Sequence, residues 1–297
     1  MSSQDKAKKN RATFFGFAAV LMWALLALFT AESGDIPPFQ LAALTFCIGT
    51  LVGLVWLFIA KPAPAAKPMP KHILLLGGLG LFAYHALYFA ALQNAPAAEA
   101  SLIAYLWPLL IVVFSALLPG EKLRAHHVIG ALLGFCGAAL LISGGRGFQI
   151  DPDAAFGYGL ALIAAFTWTS YSLFSRRLPD LPTQSVIVYC AITTALSIVA
   201  HLLFEVTVWP TTIVQWAAIA GLGLLPVGTA FYVWDYGLKH GDIQVIGASS
   251  YAAPLFSTII LIIFGTTDFS WPIAAACILI TLGALIAAKS LLVKKSS

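Results

Sequence analysis

LIAYLWPLL, Leu102 to Leu110, and SSYAAPL, Ser249 to Leu255, each place a proline three residues after a tyrosine inside a long apolar run. A proline within a helix removes a backbone donor and crowds the carbonyl four residues back, here those of Ala104 and Ser250. One such proline is readily explained as a packing kink, because neighbouring helices satisfy the freed carbonyl. Two at matching positions point instead to a repeated element with interrupted backbone, which apolar surroundings tolerate only within protein or along a water-filled cavity.

Working outward, apolar runs recur along the whole chain. Of 297 residues, 60% are hydrophobic and 9% charged, against roughly 45–50% and about 25% in an average soluble domain. Mean hydropathy is +0.92. A membrane span needs about 20 mostly apolar residues, and segments 12–31, 38–60, 71–93, 97–118, 127–145, 154–175, 184–205, 212–238, 243–265 and 271–292 qualify. The expected fold class is therefore an all-α membrane protein of ten transmembrane helices in the lipid bilayer. The run after Arg11 lacks a cleavage site and reads as a retained first span.

Loop charge tests that count, because cytoplasmic loops carry the Lys/Arg excess. With the amino terminus inside, every one of the 16 basic residues except Arg146 falls on the inner side. Both ends are thus expected in the cytoplasm. The net charge of +4 then reports orientation, and no nucleic-acid partner is needed to explain it. Cys47, Cys136, Cys190 and Cys277 lie far apart in apolar runs with no metal-ligand spacing, so neither a metal nor a cofactor is expected.

Sliding the sequence by about 146 positions aligns Tyr88 with Trp234, Leu92 with Leu238, Tyr105 with Tyr251, Pro108 with Pro254 and Gly137 with Gly283. One residue less aligns Trp23 with Trp168 and Phe29 with Phe174. The reading is a cytoplasmic tail (1–11), a first five-helix repeat (12–145), an extracytoplasmic linker (146–153), a second repeat (154–292) and a cytoplasmic tail (293–297). Five is odd, so the second half enters the membrane from the opposite side. Inverted repeats of this kind hold substrate near the midplane, at interrupted helices.

Ten helices in two halves resemble the drug/metabolite transporter superfamily, EamA type. The Gly16–Trp23 opening, the run APAAEASLIAYLWPLL (residues 95–110) and GEKL (Gly120–Leu123) carry that resemblance. Within the family, Tyr84/His85/Tyr88 and Tyr105/Trp107/Pro108 look most like the aromatic amino-acid exporters. The resemblance implies export and a bacterial inner membrane. The second half departs from the pattern: Thr267 stands where Glu121 stands in the first, which weakens any role for the glutamate.

Residues three or four apart share a helix face, which groups candidate cavity residues by span. They are Tyr84, His85 and Tyr88 on the third; Ser101, Tyr105 and Pro108 on the fourth, with Trp107 pointing elsewhere unless the proline rotates it; and Trp168 and Tyr171, with Ser172 and Ser175, on the sixth. Trp234 stands on the eighth, and Ser250, Tyr251 and Pro254 on the ninth. A lone aromatic at such depth is more often packing than ligand contact, but four helices presenting such faces point to a cavity, whereas Trp209, Trp216 and Trp271 suit the interfacial belts. No Lys or Arg lies mid-span, which argues against phosphorylated substrates needing a cationic clamp. The first span has no core carboxylate, which argues against the ion-swapping mechanism of multidrug exporters in the superfamily. What remains is a neutral aromatic cavity suited to a neutral or zwitterionic solute, with the freed carbonyls of Ala104 and Ser250 on its ammonium and Ser101 or Ser250 on its carboxylate.

His85 is expected to be neutral and bonded to a neighbour's hydroxyl or carbonyl, and Asp235 to pair with Lys239 at the membrane interface. Obligatory proton coupling is not expected. The alternative is an exporter of another small apolar metabolite or drug, coupled to protons through His85. Gly49/Gly53 and Gly130/Gly134 have the spacing of close helix contacts, more readily internal than intermolecular, so a monomer suffices and the oligomeric state stays open. An enzyme would need paired carboxylates, a histidine cluster or a nucleophile–base pair within the spans, and none stands out; no catalytic residue is assigned.

Overall fold

Both quoted stretches break, but ahead of the proline and not at it. In the computed structural model, which describes residues 3–60, 69–149, 151–265 and 268–289, the fourth span is split into α5 (Ala97–Ala104) and α6 (Trp107–Phe114) and the ninth into α12 (Ile243–Ser249) and α13 (Ala252–Ile263). Pro108 falls in the first turn of α6, where a missing N–H costs nothing. The next donor, Leu109 N–H, leaves its own helix and bonds the Tyr251 hydroxyl at 3.1 Å. The carbonyl of Ser250, expected to be free, instead accepts Ala253 N–H at 3.1 Å.

The remaining helices are α1 (Ser3–Trp23), α2 (Leu26–Glu32), α3 (Pro38–Ala60), α4 (Lys71–Asn94), α7 (Ala125–Ser143), α8 (Ala155–Arg177), α9 (Ser185–Phe204), α10 (Ile213–Leu224), α11 (Ala230–His240) and α14 (Trp271–Ala287). No strand occurs among the described residues. The first helix starts well before residue 12 and takes in residues 3–11, with Asp5 in the first turn complementing the helix dipole. Two further irregularities were not expected. α1 and α2 form one span broken at Ala24–Leu25, and a π turn, Leu225–Thr229, joins α10 to α11.

Eight of these continuous or jointed rods are long and apolar enough to cross a membrane. Of the other two expected spans, α14 is apolar but only 17 residues long. α8 spends part of its length on Thr169, Ser172 and Ser175, all turned inward and buried.

Small residues set the closest approaches. A methyl added to Gly130 would lie 2.5 Å from the Gly283 carbonyl, which lets α7 and α14 pack backbone to backbone. Gly49 lies against the backbone of Gly228, and Gly134 against the Tyr251 ring, so both glycine pairs read from the sequence serve contacts inside the chain. The contact of α1 with α11 runs through Gly16 and Gly237. At the matching contact of α8 with α4, alanines stand at the aligned positions, Ala161 and Ala91, in one buried cluster.

Candidate functional site

Four tryptophans from four helices meet at the centre: Trp23 (α1), Trp107 (α6), Trp168 (α8) and Trp234 (α11). All six ring pairs have centroids between 4.9 and 6.2 Å apart. Their mutual angles are mostly edge-to-face, the arrangement that ring quadrupoles favour. Trp107, a candidate site residue, was expected to point away from Ser101, Tyr105 and Pro108 unless the proline rotated it. The break at Tyr105–Leu106 resets the register of α6 and turns Trp107 inward. Trp234 is fully buried and Trp168 only 3% exposed, so the cluster forms a buried floor.

A wall of half-buried aromatics rises from that floor on α4 and at the start of the α5–α6 joint. Tyr84 approaches Trp168 at 5.1 Å, and its ring is parallel to that of Tyr88 at 6.2 Å. The Tyr88 hydroxyl shares a 2.9 Å hydrogen bond with Ser101, joining α4 to α5. Tyr105 stands 6.5 Å from Trp107, and Tyr171 stacks on Trp168 at 5.3 Å. His85 lies among Phe46, Phe89 and Phe231, with Nδ1 2.8 Å from the Leu81 carbonyl. A carbonyl only accepts, so Nδ1 carries the proton and the ring is satisfied as a neutral group. The tyrosines of α4 and the α5–α6 joint are partly exposed, whereas α8 and α11 are buried around the tryptophans.

Not all expected residues join this site. Tyr251 is fully buried and faces α7, with its ring 6.0 Å from Phe135 and its hydroxyl committed to Leu109. The Ser250 hydroxyl bonds back to the Ile246 carbonyl at 2.8 Å, as Ser often does one turn into a helix. Pro108 is buried in the first turn of α6, and Pro254 sits in the first turn of α13. Conversely, Trp23, Phe46 and Phe231 belong to the cluster and were missed. The repeat held the signal for two of them, since Trp23 aligns with Trp168 and Phe231 with His85.

The opposite end, where α11 turns into α12, is tied by charge. Arg176 Nε donates to Glu121 at 2.9 Å and Nη2 also contacts this carboxylate, while Nη1 reaches the carbonyls of Leu238 and Lys239 at 2.8 and 2.7 Å. Gln244 Nε2 bridges Glu121 and Ser115. Lys9 pairs with Asp242 at 2.8 Å. Asp235 and Lys239 pair at 2.7 Å as expected, and both side chains are 1% exposed. Asp235 also accepts from Ser175 and Thr183, and Lys239 donates to the Leu181 carbonyl. Glu121, discounted because its repeat partner differs, is thus a central anchor; that partner, Thr267, lies outside the described residues. A cavity of about 860 Å³ opens beyond this network, lined by Lys8, Arg11, Pro119, Glu121, Arg176 and His240 among others.

An apolar helical bundle whose two halves deliver rings to one neutral central site has the architecture of a multi-pass membrane transporter. The chain belongs to the EamA-like transporter family of the drug/metabolite transporter superfamily, whose family model matches it twice, over residues 10–143 and 155–288. It is 47% identical over 281 residues to the aromatic amino acid exporter YddG of Ancylobacter novellus, covering 94% of this chain and 97% of that one. The exporter of the same name from Escherichia coli is 26% identical over 292 residues, with the same coverage. A solved crystal structure at 47% identity superposes with a TM-score of 0.89, over 94% of this chain and 98% of its own.

Proposed function

We propose that the protein exports aromatic and other neutral amino acids across a bacterial inner membrane by alternating access, as ten spans in two inverted repeats with both ends cytoplasmic. The observation that carries this reading is the tryptophan floor, to which each repeat contributes two indoles: Trp23 and Trp107 from the first, Trp168 and Trp234 from the second. The double match to the family model and the names of the two relatives support it. On this orientation the charged end faces the cytoplasm and is shut, and the tyrosine wall opens outward.

The site suits a zwitterion with an apolar body. Its ring or aliphatic side chain stacks on Tyr84, Tyr88 and Trp168. Its ammonium lies over an indole face, a cation–π contact worth about 2 kcal/mol when desolvated. Its carboxylate accepts from the Tyr88 and Ser101 hydroxyls. Proton coupling through His85 is disfavoured: Leu81 occupies Nδ1, and aromatic rings, not carboxylates, surround the imidazole.

The test is uptake of labelled Phe, Trp, Leu and Thr into proteoliposomes, with and without a pH gradient. Flux should favour the aromatic substrates, ignore the gradient and fall about two- to tenfold in Tyr88→Ala, since the loss of a stacking contact is worth roughly 0.5–1.5 kcal/mol. Flux of none of these amino acids, or flux that Tyr88→Ala and Tyr105→Ala leave unchanged, overturns the substrate assignment.

A further inference from the structure

The two halves share a sequence pattern but not a backbone. The first span is broken at Ala24–Leu25, whereas α8, its repeat counterpart, runs unbroken from Ala155 to Arg177. The π turn at Leu225–Thr229 aligns with residues 79–83, which lie inside the unbroken α4. The two irregular segments meet. Ala230 N–H bonds the carbonyl of Leu225, five residues back, so the Pro226 carbonyl lacks its usual partner four residues on. It accepts the Trp23 indole N–H instead, at 3.1 Å.

The aligned pair on the other side is Trp168 and Gly80, and there the bond is not made. Trp168 is 3% exposed, yet its Nε1, like that of Trp234, has no protein acceptor within hydrogen-bond distance. A buried donor in that condition is uncommon and unfavourable, so it invites an account. Gly80 faces α8 nearby: a methyl built on it would touch the Tyr171 ring at 3.6 Å. Its carbonyl is held within the regular ladder of α4.

We propose that Trp168 is a positioning residue for the second state of the transport cycle, and that its indole N–H closes on the Gly80 carbonyl when α4 takes up a π turn over residues 79–83. Tyr84 aligns with Ala230, so its N–H shifts from Gly80 to Leu79 in that state, and α8 breaks near Thr169–Ser170 as the first span does here. The Trp23–Pro226 bond opens at the same time. Because the register shift begins at Tyr84 and carries Tyr88 with it, the binding wall and the gate move together. The inference rests on the inverted-repeat reading and gives each repeat the same latch, made in opposite states.

The experiment measures distances between spin labels at Lys8→Cys and Pro119→Cys, exposed positions on the rim of the charged cavity, in full-length protein whose four native cysteines are alanine. Double electron–electron resonance is recorded in nanodiscs without substrate. Trp23→Phe should raise the ratio of long (open) to short (closed) distances roughly five- to tenfold, the value of one net hydrogen bond. Trp168→Phe should lower it by a similar factor. Gly80→Ala, which fits the present packing and favours regular helix, should act like Trp168→Phe without touching an indole. Shifts of Trp23→Phe and Trp168→Phe in the same direction, or no shift in Trp168→Phe and Gly80→Ala, overturn the latch. The distances need no substrate, so opposite shifts without amino-acid flux would sink the substrate reading alone, and flux without opposite shifts would sink the latch alone.

Discussion

Leu109 and Tyr251 lie in different halves of the chain, and one hydrogen bond joins them. The donor is available because Pro108 and the break before it release Leu109 from its own helix. Removing the hydroxyl leaves a part-buried N–H without an acceptor, a loss of about 1–3 kcal/mol. Tyr251→Phe should therefore lower the unfolding midpoint of the purified protein in detergent, while Tyr105→Phe, at the half-exposed aligned position, leaves it nearly unchanged. Asp235 and Lys239 make the same point with charge. Asp235→Leu strands a buried ammonium and should cost about 3–5 kcal/mol. Asp235→Leu combined with Lys239→Leu should recover most of that loss in the same melting assay, because two apolar side chains replace a pair that burial had already stripped of water. A double variant as unstable as the single would mean that the pair's remaining hydrogen bonds, to Ser175, Thr183 and the Leu181 carbonyl, carry the stability.

At the scale of helices, the sequence announced some interruptions and concealed others. Proline marked the α5–α6 and α12–α13 joints to within a few residues, because a ring lacking N–H leaves a visible trace. The break at Ala24–Leu25 has no such marker: its residues suit a helix, and Trp23 reaching across to Pro226 is a tertiary contact. The ends of the spans were legible from hydropathy, except where a polar stretch such as residues 3–11 continues a helix into water. Aromatic faces on α4 and α8 were legible from spacing, whereas Tyr251 was misplaced because periodicity says that residues share a face but not which neighbour that face meets. The α1–α11 contact through Gly16 and Gly237 gives a further prediction. Gly237→Val places a branched side chain against the Gly16 backbone and should sharply reduce the yield of folded protein on size-exclusion chromatography. Ala91→Gly at the aligned contact should cost about 1 kcal/mol, the helix-propensity difference alone, and leave the elution profile intact.

For the whole molecule, the repeat and the charge alternation were written plainly in residue order, because membrane insertion acts on local composition. Which end of the bundle is shut was not. That depends on Arg176, Glu121, Gln244, Lys9 and Asp242 meeting across four separate segments, and on residues such as Glu121 that look ordinary in a basic loop. The most completely buried carboxylate and ammonium, Asp235 and Lys239, cancel each other, and the aromatic site is neutral. An elementary charge crossing 100 mV exchanges about 2.3 kcal/mol with the field, but a zwitterion, the substrate proposed above, would present no net charge for the field to grip. Membrane voltage should neither drive nor brake it. Flux in proteoliposomes clamped with valinomycin should be equal at zero and at −100 mV, so the cell's electrical state would leave the traffic alone and the concentration ratio would set its direction.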